Sequence, residues 1–179
     1  MSDYWAPAWF HGTVPPDAPT RTLTEWVVLG LLAQGPTHGF ALARRLRRGG
    51  EVGRVWAASR PLTYRALDQL VAARWAEPIG TEPGAGPVRT LHRITPAGRR
   101  ALARWLAAPV EHLRDVRSEL LVKLLLLEQA GRSPAPLVAA QRTAFRAPLR
   151  AALEAPGTDA VTRWRRAQAE AVERFLMND

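Results

Sequence analysis

Apolar residues fall into helical spacing from residue 22 onward, break once into a short strand-like stretch, and return to helical spacing toward the end. The first 20 residues have neither period: Tyr4, Trp5, Trp9 and Phe10 are mixed with four prolines, which predicts an extended arm. Thr22-Leu23-Thr24-Glu25 carries a capping-box pattern, and Leu23, Trp26, Val27 and Leu31 follow at helical steps. A first helix over about 23–34 is predicted, ended by Gly35-Pro36. The second runs from His38 to about Arg48 with Thr37 as its cap, and Gly49-Gly50 stops it. It turns Phe40, Ala43 and Leu46 inward and Arg44, Arg45, Arg47 and Arg48 outward. After a connection without period, Ser59 caps a third helix with Pro61 in its first turn. Ala66, Leu67, Leu70 and Ala73 form its buried stripe, with Tyr64, Arg65 and Asp68 opposite.

Ala76 to Thr81 and Val88 to Ile94 read as two strands around a Gly- and Pro-rich tip, and Thr95-Pro96 opens a fourth helix through Leu102 and Trp105. From about Asp115 to Gln129 the chain is apolar on nearly every side, interrupted by Lys123. A helix of that kind needs cover on more than one face, and the expected cover is a second subunit. Ser133-Pro134 opens a helix that Pro148 should kink or divide. The last, from Thr158 to about Leu176, repeats Val161, Trp164, Gln168, Ala171, Val172 and Phe175 as a packing seam. The expected fold is mainly α: a winged helix-turn-helix with a two-stranded hairpin wing, plus a C-terminal helical dimerisation element. Its expected parts are an extended or disordered arm at 1–20, a winged helix-turn-helix at 21–107 and dimerisation helices at 108–179. Leu120, Leu121, Leu124, Leu127, Trp164 and Phe175 are the expected contact residues of a homodimer.

Charge sharpens this outline. The chain has a formal charge of +9, and Lys123 is its only lysine. Between residues 36 and 105 there are 13 arginines against four acidic residues; residues 1–35 carry one against three, and the remainder 11 basic against nine acidic. The excess of positive charge therefore sits in the middle third, where a polyanionic partner would meet it. Arg60, Tyr64 and Arg65, early in the third helix, have the chemistry to enter a DNA groove: guanidinium forks for guanine or phosphate, and a phenol for a phosphate oxygen. The plainer alternatives are a half-buried core aromatic for Tyr64 and a solvated face for the arginines. Ser59, at the cap of the same helix, belongs to the candidate set. In the hairpin, Arg89 and then Arg93 suit the minor groove, although Arg93 also reads as an ordinary solvent-facing strand residue. The N–H groups of Thr37 and His38 suit a phosphate at a helix start, while His38 equally suits a structural cap.

Composition removes other classes. Without cysteine there is no disulfide and no thiolate chemistry, which fits a reducing cytosol. No apolar run approaches the roughly 20 residues that span a bilayer, and Met1-Ser2-Asp3-Tyr4 lacks the features of a secretion signal, so a soluble cytoplasmic protein without membrane contact is expected. His11, His38, His92 and His112 lie far apart, and no P-loop, nucleophile elbow or dinucleotide glycine pattern is present. No catalytic activity, cofactor or metal site is expected. Among seven tryptophans, Trp26, Trp75 and Trp164 fall on packing stripes, whereas Trp105 is the candidate to stack on a small aromatic or hydrophobic effector.

Four motifs in succession resemble those of PadR-type transcriptional regulators: Leu29-Gly30-Leu31-Leu32, Gly35-Pro36-Thr37-His38-Gly39-Phe40, Tyr64-Arg65-Ala66-Leu67, and Arg93-Ile94-Thr95-Pro96-Ala97-Gly98-Arg99. Ser118 to Leu124 is similar to the dimer helix of that family. The resemblance implies a homodimeric, repressor-like winged-helix protein that binds a roughly palindromic DNA site and is released by a small molecule. The family usually has Thr-Leu before the tyrosine, whereas this chain has Leu62-Thr63, and both residues are interface candidates. Phe40 stands where an aromatic is usual, without a tyrosine's hydroxyl. A reading from a different class is a winged-helix module that binds an acidic protein and not a specific DNA sequence.

Overall fold

The Thr22 hydroxyl accepts a hydrogen bond from the Glu25 N–H at 3.3 Å and so opens α1 (Leu23–Ala33), while the Glu25 carboxylate turns to Arg21 at 3.2 Å instead of reaching back to the cap. The computed structural model describes residues 21–83 and 88–177; the arm at 1–20 and the centre of the hairpin tip lie outside them. Thr37 does not cap the second helix. Thr37–His38 form a two-residue strand, β1, and His38 is the cap of α2 (Gly39–Leu46), its Nδ1 accepting from the Ala41 N–H at 3.0 Å. The extended backbone that precedes the helix is taken up by a neighbouring strand, which is the physical reason for the later start.

Residues 47–58, which show no period, fold back on α2 through backbone bonds. The Val52 and Gly53 N–H groups donate to the Arg45 carbonyl, and that of Ala58 to the Leu46 carbonyl. Ser59 then caps α3 (Arg60–Ala72). Beyond it, β2 (Ala76–Glu82) and β3 (Arg89–Ile94) form the expected hairpin, and β1 adds to its free side to give an antiparallel sheet ordered β1-β3-β2. Pro78 is tolerated because β2 is an edge strand with a register irregularity between Pro78 and Gly80.

The motif Ile94-Thr95-Pro96-Ala97-Gly98 closes the wing onto α3. The Thr95 hydroxyl donates to the Arg74 carbonyl at 2.8 Å and accepts from the Gly98 N–H at 3.1 Å, capping α4 (Pro96–Ala107). Gly98 is required by contact: a Cβ there would lie 2.3 Å from the Trp75 carbonyl oxygen. Arg74 takes a left-handed backbone (φ 59°) to make this corner.

The C-terminal region begins with a 3-10 turn (Leu113–Asp115) and a π-turn (Val116–Leu120), followed by α5 (Leu121–Gln129), α6 (Ala135–Leu153) and α7 (Ala160–Met177). Pro148 does not divide α6. The prediction for α5 is half corrected: it is covered on several faces, but by its own chain. Leu120, Leu124 and Leu127 are buried and Leu121 partly so, in one hydrophobic core that joins α1, α3 and α4 to α5, α6 and α7. Leu120, Leu124 and Leu127 are thus covered within the chain, while Leu121 keeps part of its surface. At Gly30 a Cβ would lie 2.6 Å from the Leu126 side chain, so the glycine makes room for that leucine between α1 and α5. No described helix is long and apolar enough to cross a membrane.

Candidate nucleic-acid interface

Ser59 sets α3 by accepting from the Leu62 N–H, and this fixes which residues of the first turn face outward. Arg60, Leu62 and Arg65 are exposed, Leu62 at 53%. Thr63 is the correction among the candidates: it is fully buried and its hydroxyl donates to the Ser59 carbonyl at 3.0 Å, so its side chain cannot reach a ligand. Of the pair Leu62-Thr63, the leucine faces solvent. Tyr64 is half-buried, its ring laid against the first turn of α2, where a Cβ on Gly39 would come within 2.8 Å of it. Gly39 thus makes room for the aromatic that joins the two helices.

Two clefts flank this helix start. One, about 560 Å³, runs between α2 and α3 and is lined by Arg44, Arg47, Arg48 and Arg60; the other, about 500 Å³, lies between α3 and the wing and is lined by Tyr64, Asp68, Arg89 and His92. Phe40 and Arg60 border both. Phe40 was expected inward and is instead 40% exposed. The Arg60 Cζ lies 5.5 Å from the Phe40 ring centroid and 5.6 Å from that of Tyr64, and the Arg89 Cζ lies 4.8 Å from Phe40. Arg89 is consequently folded back, half-buried, against α2.

Other cations are already engaged. Arg45, one of four arginines expected to point outward from α2, bonds Glu51 at 2.8 Å and Gln34 at 2.7 Å, and Gln129 closes the ring by bonding Glu51 and Gln34. Arg93 pairs with Glu77 across the strands at 2.7 Å, its plainer role. Arg44, Arg47 and Arg48, which the sequence reading turned outward without singling them out as candidates, line the first cleft. Thr37 and His38 sit in β1, with His38 Nε2 3.7 Å from a Glu82 oxygen. Burial pushes His92 below its ordinary value of 6.5, opposed by a backbone hydrogen bond at Thr90 and by the charge of Asp68; its Nδ1 is buried and finds no hydrogen-bond partner among the described residues.

Trp105 lies away from this face, at the junction of α1, α4 and the π-turn. Its ring is parallel to that of Trp26 at 5.1 Å, Trp26 in turn contacts Trp75 at 5.4 Å, and the Trp105 N–H donates to Glu119 at 3.1 Å. Lys123, fully buried, bonds Glu119 at 2.7 Å and the Ala108 carbonyl at 2.8 Å, and lies 4.8 Å from the Trp105 ring. Burial lowers the Lys123 pKa from 10.5, with Glu119 opposing.

Three packed helices, a sheet-borne wing and a third helix with Arg60 and Arg65 exposed at its start define a winged helix-turn-helix protein. Residues 28–104 match the model of the Transcriptional regulator PadR-like family. A Mycobacterium tuberculosis protein, Probable transcriptional regulator Rv1176c, is 29% identical over 126 residues. The match covers 67% of this chain and 66% of that protein, just under two thirds of its length. The crystal structure of Bacillus subtilis PadR in complex with operator DNA is similar with a TM-score of 0.45 and 19% identity, covering 86% of this chain and 95% of that one. The same protein in complex with p-coumaric acid gives a TM-score of 0.45 and 19% identity, with 87% and 95% covered.

Proposed function

We propose that this chain is a sequence-specific, DNA-binding transcriptional repressor that acts as a homodimer in the cytoplasm on an inverted repeat and is released by a small apolar effector. The observation that carries the reading is the exposed start of α3, where Arg60, Leu62 and Arg65 face solvent beside the arginine-lined cleft of α2. Arg60 and Arg65 suit base edges, while Arg44, Arg47 and Arg48 suit phosphates. Residues 21–107 would form the DNA-binding part and 108–179 the dimerisation part. With the leucines of α5 buried, the dimer contact passes to α7, where Val161, Trp164, Gln168, Ala171 and Phe175 recur at alternating steps of three and four, the spacing of a two-helix seam. Trp164 is 68% exposed. The effector part rests on Trp105, which links the winged region to the π-turn; a flat ligand inserted at that stack would shift one region against the other.

Selection from random duplex DNA tests the reading. The expected product is an inverted repeat whose binding weakens steeply with salt. Arg60→Ala or Arg65→Ala should weaken it by about 1–3 kcal/mol if the residue makes a bidentate base contact. Affinity unchanged in both variants would remove α3 from the reading role, and recovery of a stoichiometric acidic protein with no selected DNA would favour the interaction-module alternative.

A further inference from the structure

Large exposed apolar side chains among the described residues fall into two groups. Val161, Trp164, Phe175 and Met177 lie on α7, while Phe40, Leu62, Ile79 and Val88 lie on the winged region. Leu62 stands between Arg60 and Arg65 at the start of α3, and Phe40 is the one that borders both clefts. A surface that met only phosphates would gain nothing from a half-exposed phenyl ring, since phosphate oxygens are met by cations and N–H or O–H donors. Yet Phe40 stands at the centre of the face, bordering both clefts, with Arg60 and Arg89 against its ring.

The contacts do two things. Arg60 is held by two aromatic rings, Phe40 and Tyr64, and Tyr64 is itself seated on Gly39. A guanidinium resting on an aromatic face keeps its N–H fork free for a planar acceptor pair, such as O6 and N7 of guanine. Meanwhile part of the Phe40 ring stays uncovered, and it carries no hydroxyl to bind water. The C5-methyl of thymine is the apolar group that the major groove presents, and apolar side chains are its partners.

We propose that Phe40 is a specificity-determining residue of this interface: it steadies the Arg60 guanidinium for a base edge and sets its own ring edge against a thymine methyl beside that base. The inference rests on the regulator reading and adds to it which base is read and by what.

The test uses the full chain and the duplex obtained by selection. Each thymine is replaced in turn by deoxyuridine, which removes the methyl group alone, and affinity is measured for the wild type, Phe40→Ala and Phe40→Gln, with thermal unfolding as the check on folding. At one thymine of each half-site the wild type should lose about fourfold in affinity, the factor that burying one methyl group is worth. Both variants should bind the thymine and deoxyuridine duplexes equally at that position, and either folded variant suffices. The dependence of their binding on salt should match the wild type, because no phosphate contact is removed. A duplex whose binding is indifferent to every methyl, or a penalty as large in the variants as in the wild type, overturns this inference and leaves the regulator reading standing. Failure to select any duplex overturns both.

Discussion

His92 lines the cleft between α3 and the wing with its Nδ1 buried and unpaired among the described residues, and burial favours its neutral form. Its folded pKa lies below 6.5, and in the interval beneath that value the unfolded chain binds a proton that the folded chain does not. Stability from this residue is therefore complete above 6.5 and is lost as pH falls through that interval toward the folded pKa. Thermal unfolding followed from pH 7.5 to 5 should show a steeper decline for the wild type than for His92→Gln. Asp68 moderates the effect, since its charge favours the protonated ring. Individual roles of this kind were only partly legible in the sequence. The arginines of α3 could be placed on an outward face by spacing, but whether Leu62 or Thr63 faces outward depends on the helix phase that the Ser59 cap sets. Phe40 read as a core residue because its spacing matches Ala43 and Leu46; the arginines that surround it come from α3 and β3, which no local pattern reveals.

Among the elements, the corner between β3 and α4 shows most directly how a short motif acts. Thr95 serves two segments with one hydroxyl, and Gly98 admits the Trp75 carbonyl where any side chain would collide. Gly98→Ala should destabilise the protein by about 1–3 kcal/mol, the usual cost of overpacking, read as a lowered unfolding midpoint in urea. Helices with caps and a clear stripe, and the hairpin with its Gly-Pro tip, were visible from period and punctuation. β1 was not, because two residues are too few to show alternation. The 47–58 connection was not, because it is held by N–H groups donating to carbonyls of α2, which leave no trace in side-chain pattern.

For the molecule as a whole, the sequence required cover for α5, and the expected cover was a second subunit. Hydrophobic period reports burial, and burial by a fold and by a partner look alike in a sequence. The structure assigns that helix to the protomer's core and leaves the outer stripe of α7 unpaired among the described residues. Two substitutions should therefore behave differently. Trp164→Asp should give a folded monomer by sedimentation with little change in helix content, whereas Leu124→Arg should fail to fold, because it places a charge in a site only 8% exposed. A folded monomer from Leu124→Arg would return the contact to α5.

Gly30 has a reach beyond its size. Because Gly30 carries no Cβ, the Leu126 side chain lies against α1 where a methyl group would come within 2.6 Å of it, beside a cavity of about 460 Å³ lined by Gly30, Leu102 and Leu126. In a twofold assembly built on α7, that missing methyl group would help gauge how far apart, and at what phase around the double helix, the two reading heads are carried.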